Sequence, residues 1–450
     1  MSSTSRRRFL TSTAPLAAAP FILPARVWAD PPSRKLAHAA IGITGQAAAD
    51  IGELMSSGRV EVVAIAEVDR RHHAGAQRSF PRARIYVDWR EMFEREGDRI
   101  DSVNVTVPDH MHASIAMQAL LRKKHVYCQK PLTRTIHEAH ALRAAAAKAG
   151  VVTQMGNQIQ SSSEYRSAVK MIQDGVIGKV KEVHCWTGAQ FPQAARPAGE
   201  NTPPEGMDWN LWLGVAPVRP WKPNIYHPFQ WRGWQDFGGG AVADFTCHIM
   251  DTPYKALGLA APVSVECTGA EQAWQDDAAR RKDSWPAWET FRYEFAGTAM
   301  TSGKTMPAYW YDGGKLPARE SIPGLENREI PPNGAVFIGE EGTLLLVHFG
   351  GRPQLLPLAK DRLLQRTPVP GSPTEHYHGF VRACLDGEKT TSPFEYAVPL
   401  TEAALLGTIA VRFPGKKLAW DSKGMRFPEV TEANAFVKSS YRAGWEMAGL

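Results

Sequence analysis

Short apolar segments alternate with segments of helical periodicity over residues 36–156. The strand-like segments are 36–43, 60–68, 102–107, 125–127 and 151–155, and helix-like stretches lie between them. Such alternation predicts βαβ units, because parallel strands need a crossover connection that is usually a helix. The strands are continuous apolar runs, as expected when helices cover both faces of a parallel sheet. This pattern predicts an α/β domain.

Beyond residue 157 the periodicity changes. Alternation with period two occurs at 263–267, 290–295 and 342–347, which predicts a large, mostly antiparallel open sheet in an α+β domain. A chain of 450 residues is also too long for one ordinary core. We therefore expect two domains, one over 36–156 and a second over 157–450.

The first 29 residues resemble an export signal. Three consecutive arginines at 6–8 precede a mildly apolar stretch at 14–23, and Ala29 ends a small-residue cleavage site. This order predicts a twin-arginine leader and a periplasmic protein, while three prolines in the region argue against a stable membrane span. The leader holds four arginines and no acid, so its removal lowers the net charge from +6 to +2. No nucleic-acid partner is expected from so small a charge.

Neither cysteine nor histidine spacing predicts a metal site. Five cysteines are widely scattered without a Cys-x-x-Cys pair, which also argues against a disulfide framework. Histidines 376 and 378 lie two apart, and no third ligand is evident from the spacing. We expect these histidines to pack at the start of a helix.

A glycine loop follows the first predicted strand. Its sequence, Gly42-Ile43-Thr44-Gly45-Gln46-Ala47, departs from the dinucleotide pattern Gly-x-Gly-x-x-Gly at Thr44 and Ala47. Taken alone, the loop is equally compatible with a plain tight turn. Glu67 ends the next predicted strand, where an acid binds ribose hydroxyls and disfavours the extra phosphate of NADP. Together these features predict NAD as the cofactor.

Two further motifs carry groups suited to proton transfer. Lys130 follows a predicted parallel strand, and open α/β sheets bind ligands at that end. Asp244 and His248 lie four apart after a triple glycine, hence on one face of a predicted helix. An acid beside a histidine can orient a general acid or base. The alternatives are a lysine in an ordinary loop and a solvated surface pair.

In order, these motifs resemble the glucose–fructose oxidoreductase, inositol dehydrogenase and rhizopine catabolism (Gfo/Idh/MocA) family. The matching pieces are the Gly42 loop, the segment 107–112, Gln129-Lys130-Pro131, Gly156-Asn157-Gln158, Asp244-x-x-x-His248 and the segment 402–412. The resemblance implies a Rossmann domain followed by an α/β domain whose open sheet often forms oligomers. It implies Lys130, Asp244 and His248 as catalytic residues. The expected cofactor-binding residues are Gly42, Thr44, Gly45, Glu67, Pro108, His112, Gln129, Lys130 and Asn157.

The chain departs from the family pattern at two of these positions. Thr44 replaces the second glycine, so the way in which the loop holds NAD differs. Gln129 replaces the glutamate of the Glu-Lys-Pro motif and removes a negative charge beside Lys130.

Tryptophans are concentrated in residues 186–234, which hold six of the chain's 14. Aromatic rings stack on the C–H faces of sugars, so this enrichment near the predicted catalytic helix favours a carbohydrate substrate. Core or interface packing is the alternative for at least half of them. We expect Tyr226, His227, Trp231 and Arg232 to contact the sugar.

These features together predict a periplasmic NAD-dependent oxidoreductase that acts on a secondary alcohol of a sugar or glycoside. Because no free NAD pool exists outside the cytoplasm, the cofactor is expected to stay bound and the net reaction to be redox-neutral. Sugar-to-sugar hydride transfer, epimerisation and oxidation-assisted glycoside cleavage all satisfy this condition. The alternative is a non-catalytic carbohydrate-binding protein on the same fold.

Overall fold

The computed structural model describes residues 35–325, 327–348, 351–363 and 367–450. The predicted leader over 1–29 therefore lies outside the described residues. Among the residues that are described, no helix is long and apolar enough to cross a membrane.

A parallel sheet forms the first half of the described chain and confirms the α/β prediction. Its six strands lie in the order β3-β2-β1-β4-β5-β6. The strands are β1 (Leu36–Ile41), β2 (Val60–Ala66), β3 (Arg84–Tyr86), β4 (Ser102–Val105), β5 (His125–Cys128) and β6 (Thr153–Met155). The helices are α1 (Gln46–Ser56), α2 (His73–Ser79), α3 (Trp89–Glu96), α4 (His112–Leu121) and α5 (Ile136–Ala149). Strand β3 was not predicted, because three partly exposed residues give no apolar run.

The strand order reverses beside β1, which pairs with β2 on one side and β4 on the other. A crevice opens at the carboxyl ends of two such strands, and this is where open α/β sheets bind ligands. Gly42 directly follows β1, and Thr106, Val107 and Pro108 follow β4. The topology thus brings the glycine loop and the segment 107–112 to one edge of the sheet.

The second half contains an eight-stranded sheet within the described residues, in the order β13-β12-β11-β7-β10-β9-β8-β14. All neighbours pair antiparallel except β7 and β10, so the mostly antiparallel prediction is confirmed. The strands are β7 (Val180–Trp186), β8 (Ser264–Ala270), β9 (Glu289–Ala296), β10 (Thr305–Tyr311), β11 (Gly334–Gly339), β12 (Thr343–Val347), β13 (Gln354–Leu356) and β14 (Lys417–Ala419).

One helix was predicted after the triple glycine, where it would carry Asp244 and His248. The structure has two helices there, one over 240–249 and one over 251–257. Pro253 falls in the first turn of the second of these, where its missing N–H group has no helical partner to lose. The helices are α6 (Ser163–Gln173), α7 (Trp209–Leu213), α8 (Gly240–Ile249), α9 (Asp251–Leu257), α10 (Gln272–Asp276), α11 (Ala278–Asp283), α12 (Leu358–Leu363), α13 (Pro373–Asp386) and α14 (Phe394–Ala410).

Two late helices connect the second half to the first. Helix α14 is apolar and buried around nearly its whole circumference, as expected for a helix inside a core, and Leu406 belongs to one continuous cluster with Leu142 of α5. Helix α13 packs Tyr377 and Phe380 against Leu36 of β1 and Tyr127 of β5. The flank of the parallel sheet is therefore completed by residues from the end of the chain.

Candidate active site

The glycine loop forms an open cradle at the N-terminus of α1. Gly42 has φ 84°, and a Cβ atom there would lie 2.4 Å from the backbone oxygen of Thr106. Gly45 has φ 57° and open space where its Cβ would be, and it caps α1 without a side-chain hydrogen bond. Thr44 and Gly45 are both exposed. Uncapped N–H groups at a helix N-terminus bind phosphate, so the loop fits the pyrophosphate of a dinucleotide with Thr44 in place.

Glu67 lies beside this cradle, directly after β2. Its carboxylate accepts hydrogen bonds from the Ile43 amide at 3.3 Å and the Asp69 amide at 3.0 Å. Burial raises the pKa of this carboxyl group. A carboxylate that contacts the loop from the end of the next strand can accept hydrogen bonds from ribose hydroxyls.

Lys130 and Asp244 form a buried ion pair between the two halves of the chain. The Lys130 Nζ atom lies 2.5 Å from Asp244 Oδ1 and 3.1 Å from the Asp244 carbonyl oxygen. The Arg232 Nε atom lies 3.4 Å from the same carboxylate oxygen. Burial alone would raise the pKa of Asp244, but Lys130 and Arg232 lower it overall. The carboxylate is thus ionised and fixes the position of the ammonium.

His248 lies one helical turn beyond Asp244 on α8. Burial, followed by the Lys130 charge, lowers the pKa of His248 to about 3. Positive charge on His348 or His376 would lower the pKa of His248 further. At neutral pH His248 is uncharged and can accept a proton. Sequence reasoning did not single out His348, which lies 100 residues beyond His248.

The segment after β4, which holds Pro108 and His112, contacts the turn that follows Lys130. The two ring nitrogens of His112 lie 2.8 Å from the carbonyl oxygens of Pro131 and Val107. His112 therefore joins the turn after Lys130 to the end of β4. Pro108, in the same segment after β4, is half-buried.

Asp109 is a buried acid of this cluster that the sequence analysis did not select. It accepts a hydrogen bond from the Gly239 backbone, and it lies close to Asp244, Arg232 and Lys130. Burial, with the charge of Asp244, raises its pKa to about 8. The sequence signal that could have identified Asp109 is its position between Pro108 and His112, both of which were selected.

We expect Asp109→Asn to change the pH dependence of stability. The folded protein keeps this carboxyl group protonated up to about pH 8, whereas the unfolded chain ionises near 3.8. Between these values the folded state binds more protons, so the free energy of unfolding of the wild type falls as pH rises. The variant should therefore gain several kcal/mol over the wild type across this window, with a plateau above it. Urea unfolding at a series of pH values measures the difference. Asp98→Asn, at an exposed acid, is the control, and parallel curves for Asp109→Asn and wild type would contradict the expectation.

Gln129 contacts a second buried acid that the sequence analysis did not select. Its Nε2 atom lies 3.1 and 3.0 Å from the carboxylate oxygens of Asp50 in α1. Asp50 also accepts hydrogen bonds from Thr106 and Tyr377. A glutamate at position 129 would place two carboxylates in contact, whereas an amide donates to Asp50. The amide that stands at position 129 in place of the family's glutamate therefore has a specific hydrogen-bond partner, the buried carboxylate of Asp50.

Asn157 is held by a network below Lys130. Its Nδ2 atom donates to Asp251 at 2.9 Å, and Gln160 donates to the same carboxylate at 3.1 Å. Its Oδ1 atom is buried without a hydrogen-bond partner in the described structure. The Asp251 carboxylate thus fixes the orientation of the Asn157 amide.

Two of the four expected sugar-binding residues lie at the Lys130 cluster. The Arg232 guanidinium pairs with Asp244 and stacks 4.2 Å from the Trp231 ring. Tyr226 is 2% exposed and accepts a hydrogen bond from Arg196 within an aromatic core. His227 is half-buried, and it lies close enough to the residues after β2 to interact electrostatically with Asp69, Arg71 and His72.

The tryptophans of 186–234 mainly form a core. Five of the six belong to one aromatic cluster with Tyr226 and Phe237, namely Trp209, Trp212, Trp221, Trp231 and Trp234. Trp186 lies in a separate cluster on the second sheet and donates to the Pro331 carbonyl oxygen at 2.6 Å. The packing alternative therefore accounts for most of the enrichment.

A glycine loop at the switch point of a parallel sheet, together with a lysine–aspartate pair beyond strand β5 of the same sheet, is typical of an NAD-binding oxidoreductase fold. Residues 36–157 match the model of an oxidoreductase family with an NAD-binding Rossmann fold, and residues 163–303 match that family's C-terminal alpha/beta domain. The chain belongs to the Gfo/Idh/MocA oxidoreductase family.

Characterised relatives are similar over part of their length. Levoglucosan dehydrogenase of Pseudarthrobacter phenanthrenivorans is 26% identical over 42% of this chain and 40% of its own length. The 1,5-anhydro-D-fructose reductase of Ensifer adhaerens is 28% identical over 34% of this chain and 36% of its own. The chain thus spans less than half the length of these relatives. The crystal structure of aldose-aldose oxidoreductase from Caulobacter crescentus, complexed with glycerol, has the same fold, with a TM-score of 0.55 at 18% identity over 86% of this chain and 100% of that one.

Proposed function

We propose that the protein is an NAD-dependent oxidoreductase that acts on a secondary alcohol of a sugar or glycoside. The observation that carries this proposal is the 2.5 Å ion pair between Lys130 and Asp244 at the crevice of an NAD-binding Rossmann domain. The relatives named for levoglucosan and 1,5-anhydro-D-fructose support a carbohydrate substrate. We further propose that 36–156 binds the nucleotide and that 157–450 binds the sugar and forms a homo-oligomer through its sheet.

The residues of the cluster divide the chemistry between them. NAD bound at the glycine loop would supply the hydride acceptor for the alcohol carbon. The Lys130 ammonium, held by Asp244, donates a hydrogen bond to the substrate oxygen and stabilises the negative charge that develops there. The uncharged His248 imidazole accepts the hydroxyl proton. Arg232, stacked on Trp231, binds a neighbouring hydroxyl of the sugar.

A short segment of the second half supports retention of the cofactor. This segment, residues 204–208, is called the strap. The Arg70 amide donates to the Gly206 oxygen and the Asp208 amide to the Val68 oxygen, both at 2.9 Å, while Asp69 forms a bridge with Met207. The strap is therefore bonded to the residues directly after Glu67, at the ribose end of the crevice. NAD that is trapped by the strap would suit a periplasmic enzyme with redox-neutral turnover.

Removing one strap hydrogen bond should speed the release of NAD. Arg70 opens a short 3-10 helix whose N-cap, Asp69, is extended, so proline is tolerated at position 70. Arg70→Pro deletes the N–H donor to Gly206, whereas Arg70→Ala removes the side chain and keeps that donor. We expect roughly tenfold faster dissociation of NAD for the proline variant and wild-type dissociation for the alanine variant. Equal rates in both variants would show that the strap does not hold the cofactor.

Two measurements test the proposed function. Protein purified from the exporting cell is denatured, and the supernatant is assayed for NAD; an empty supernatant would overturn retention. The native protein is then incubated with a panel of aldoses and glycosides while the absorbance of reduced nicotinamide, ketosugar and released aglycone are followed. Sugar binding without any of these changes would favour the carbohydrate-binding alternative.

A further inference from the structure

A second cavity lies behind the start of α8, apart from the Lys130–Asp244 pair. It has a volume of about 430 Å³ and lies between the N-termini of α5 and α8, the end of α14 and residues 435–440. Its walls include Arg134, Arg412, Lys438, Ser439, Gly239 and Trp285. Pockets that bind small molecules have volumes of this order.

The Arg412 guanidinium is the most enclosed charge of this cavity. It lies over the rings of Trp285 at 5.1 Å and Phe436 at 4.4 Å, and its Nε atom donates to the Thr408 carbonyl oxygen at 3.2 Å. Within the described part of the chain, no carboxylate comes within 4.0 Å of it. Burial lowers the pKa of Arg412 to about 10, so it remains charged at neutral pH. The guanidinium is thus fixed in the wall of the cavity without a carboxylate partner among the described residues.

The described acids near the cavity form no ion pair with its cations. Burial, with the neighbouring Asp312, raises the pKa of Glu289 well above its usual range, and its carboxyl group lies more than 4.0 Å from the Arg412 guanidinium. The Glu138 carboxylate accepts hydrogen bonds from the Arg134 and Thr135 amides and from the Tyr441 hydroxyl. The acceptors of the Glu138 carboxylate are therefore already used by hydrogen bonds, two of them within the N-terminal cap of α5.

The remaining two cations are also held without carboxylates among the described residues. The Arg134 guanidinium donates to the Ser439 hydroxyl at 2.7 Å and to the Gln235 carbonyl oxygen at 3.3 Å. Lys438 is exposed at the rim, and its Nζ atom lies 3.5 Å from a ring nitrogen of His137. Three positive charges thus converge on one cavity with only neutral partners.

We propose that this cavity binds an oxyanion group, either phosphate, sulfate or carboxylate, carried by a small molecule. Guanidinium groups match the geometry of such oxyanions with paired donors, and the Ser439 hydroxyl adds a further hydrogen-bonding group. The volume leaves room for a molecule larger than a single ion. This site does not depend on the proposed oxidoreductase activity, because none of the groups that carry it belongs to the Lys130–Asp244 pair.

Titration with inorganic phosphate tests the proposal. NAD is kept saturating so that the nucleotide crevice is filled, ionic strength is held constant, and binding is measured by calorimetry. We expect saturable binding to the wild type and roughly tenfold weaker binding to Lys438→Gln, which loses one charge-assisted contact. Arg412→Lys keeps the positive charge but removes the paired N–H donors of the guanidinium, so it should also weaken the binding of phosphate.

Lys304→Gln is the matched control. Lys304 is an exposed lysine directly before β10. Its substitution removes one positive charge at a position distant in sequence from the residues that line the cavity. Because Lys438 is itself exposed, its substitution should not disturb folding. Equal phosphate affinity in wild type, Lys304→Gln and Lys438→Gln would overturn the proposal, as would the absence of saturable binding.

Discussion

Replacing Lys130 with methionine is expected to lower the rate of nicotinamide reduction by ~10²–10³-fold, the usual contribution of one donor that stabilises the charge developing in the transition state. Methionine keeps an unbranched apolar side chain and removes the ammonium that lies 2.5 Å from Asp244. The substrate oxygen then loses its charged donor. The measurement is the single-turnover absorbance change of protein-bound nicotinamide with a sugar that reduces it.

The matched control for this experiment is Lys170→Met. Lys170 pairs with Asp174 at 3.0 Å on the exposed face of α6, so it has the same type of ion pair without burial. Exposed pairs of this kind contribute little to stability, and we expect no change in the reduction rate. An unchanged rate in Lys130→Met would contradict the role proposed for the buried pair.

Replacing Gly42 with alanine is expected to remove NAD binding and to lower the free energy of unfolding by more than ~2 kcal/mol. Two costs add at this position. The backbone has φ 84°, which disfavours any side chain, and the new Cβ atom would lie 2.4 Å from the Thr106 oxygen at the end of β4. Relief of that contact must move β1 and β4 apart where the crevice forms. Urea unfolding and a fluorescence titration with NAD measure the two effects.

Two other glycines separate the causes of this loss. Gly45→Ala, with φ 57° and no atom within 4 Å of the new Cβ, carries the backbone cost at the cradle without the clash. Gly58→Ala has φ 71° and equally open space, but lies beyond the far end of α1. Gly58→Ala should cost only ~1 kcal/mol and should bind NAD normally. Gly45 has ψ −125°, outside the left-handed helical region, so Gly45→Ala should cost ~1–3 kcal/mol. A stability loss in Gly42→Ala no greater than in Gly58→Ala would show that the contact with Thr106 relaxes freely.

The architecture was largely predictable because the periodicity of the sequence records which faces are buried. The apolar runs at 36–43 and 102–107 became β1 and β4, each ending about two residues earlier than predicted where the backbone turns into the crevice. The short strand β3 contains no apolar run, so periodicity did not predict it. The split between α8 and α9 required a local reading of Pro253 that periodicity alone does not supply.

The candidate site was less predictable, because its acids act through contacts between distant parts of the chain. Asp50 interrupts the apolar face of α1, yet only the structure shows that Gln129 and Tyr377 converge on it. Asp109 lies within a motif that was selected, but its raised pKa depends on burial and on Asp244, 135 residues away in the sequence. Sequence patterns report local faces, whereas these environments are made by tertiary packing.

The contribution of α13 to the flank of the parallel sheet has a consequence for biosynthesis. Tyr377 and Phe380 cover Leu36 and Tyr127, so a ribosome must translate most of the chain before the N-terminal sheet can bury these residues. Domains whose parts are all encoded early can fold while synthesis continues. Here the last third of the polypeptide is needed to finish the first domain, so acquisition of the dinucleotide by a fully formed pocket must follow near-complete translation.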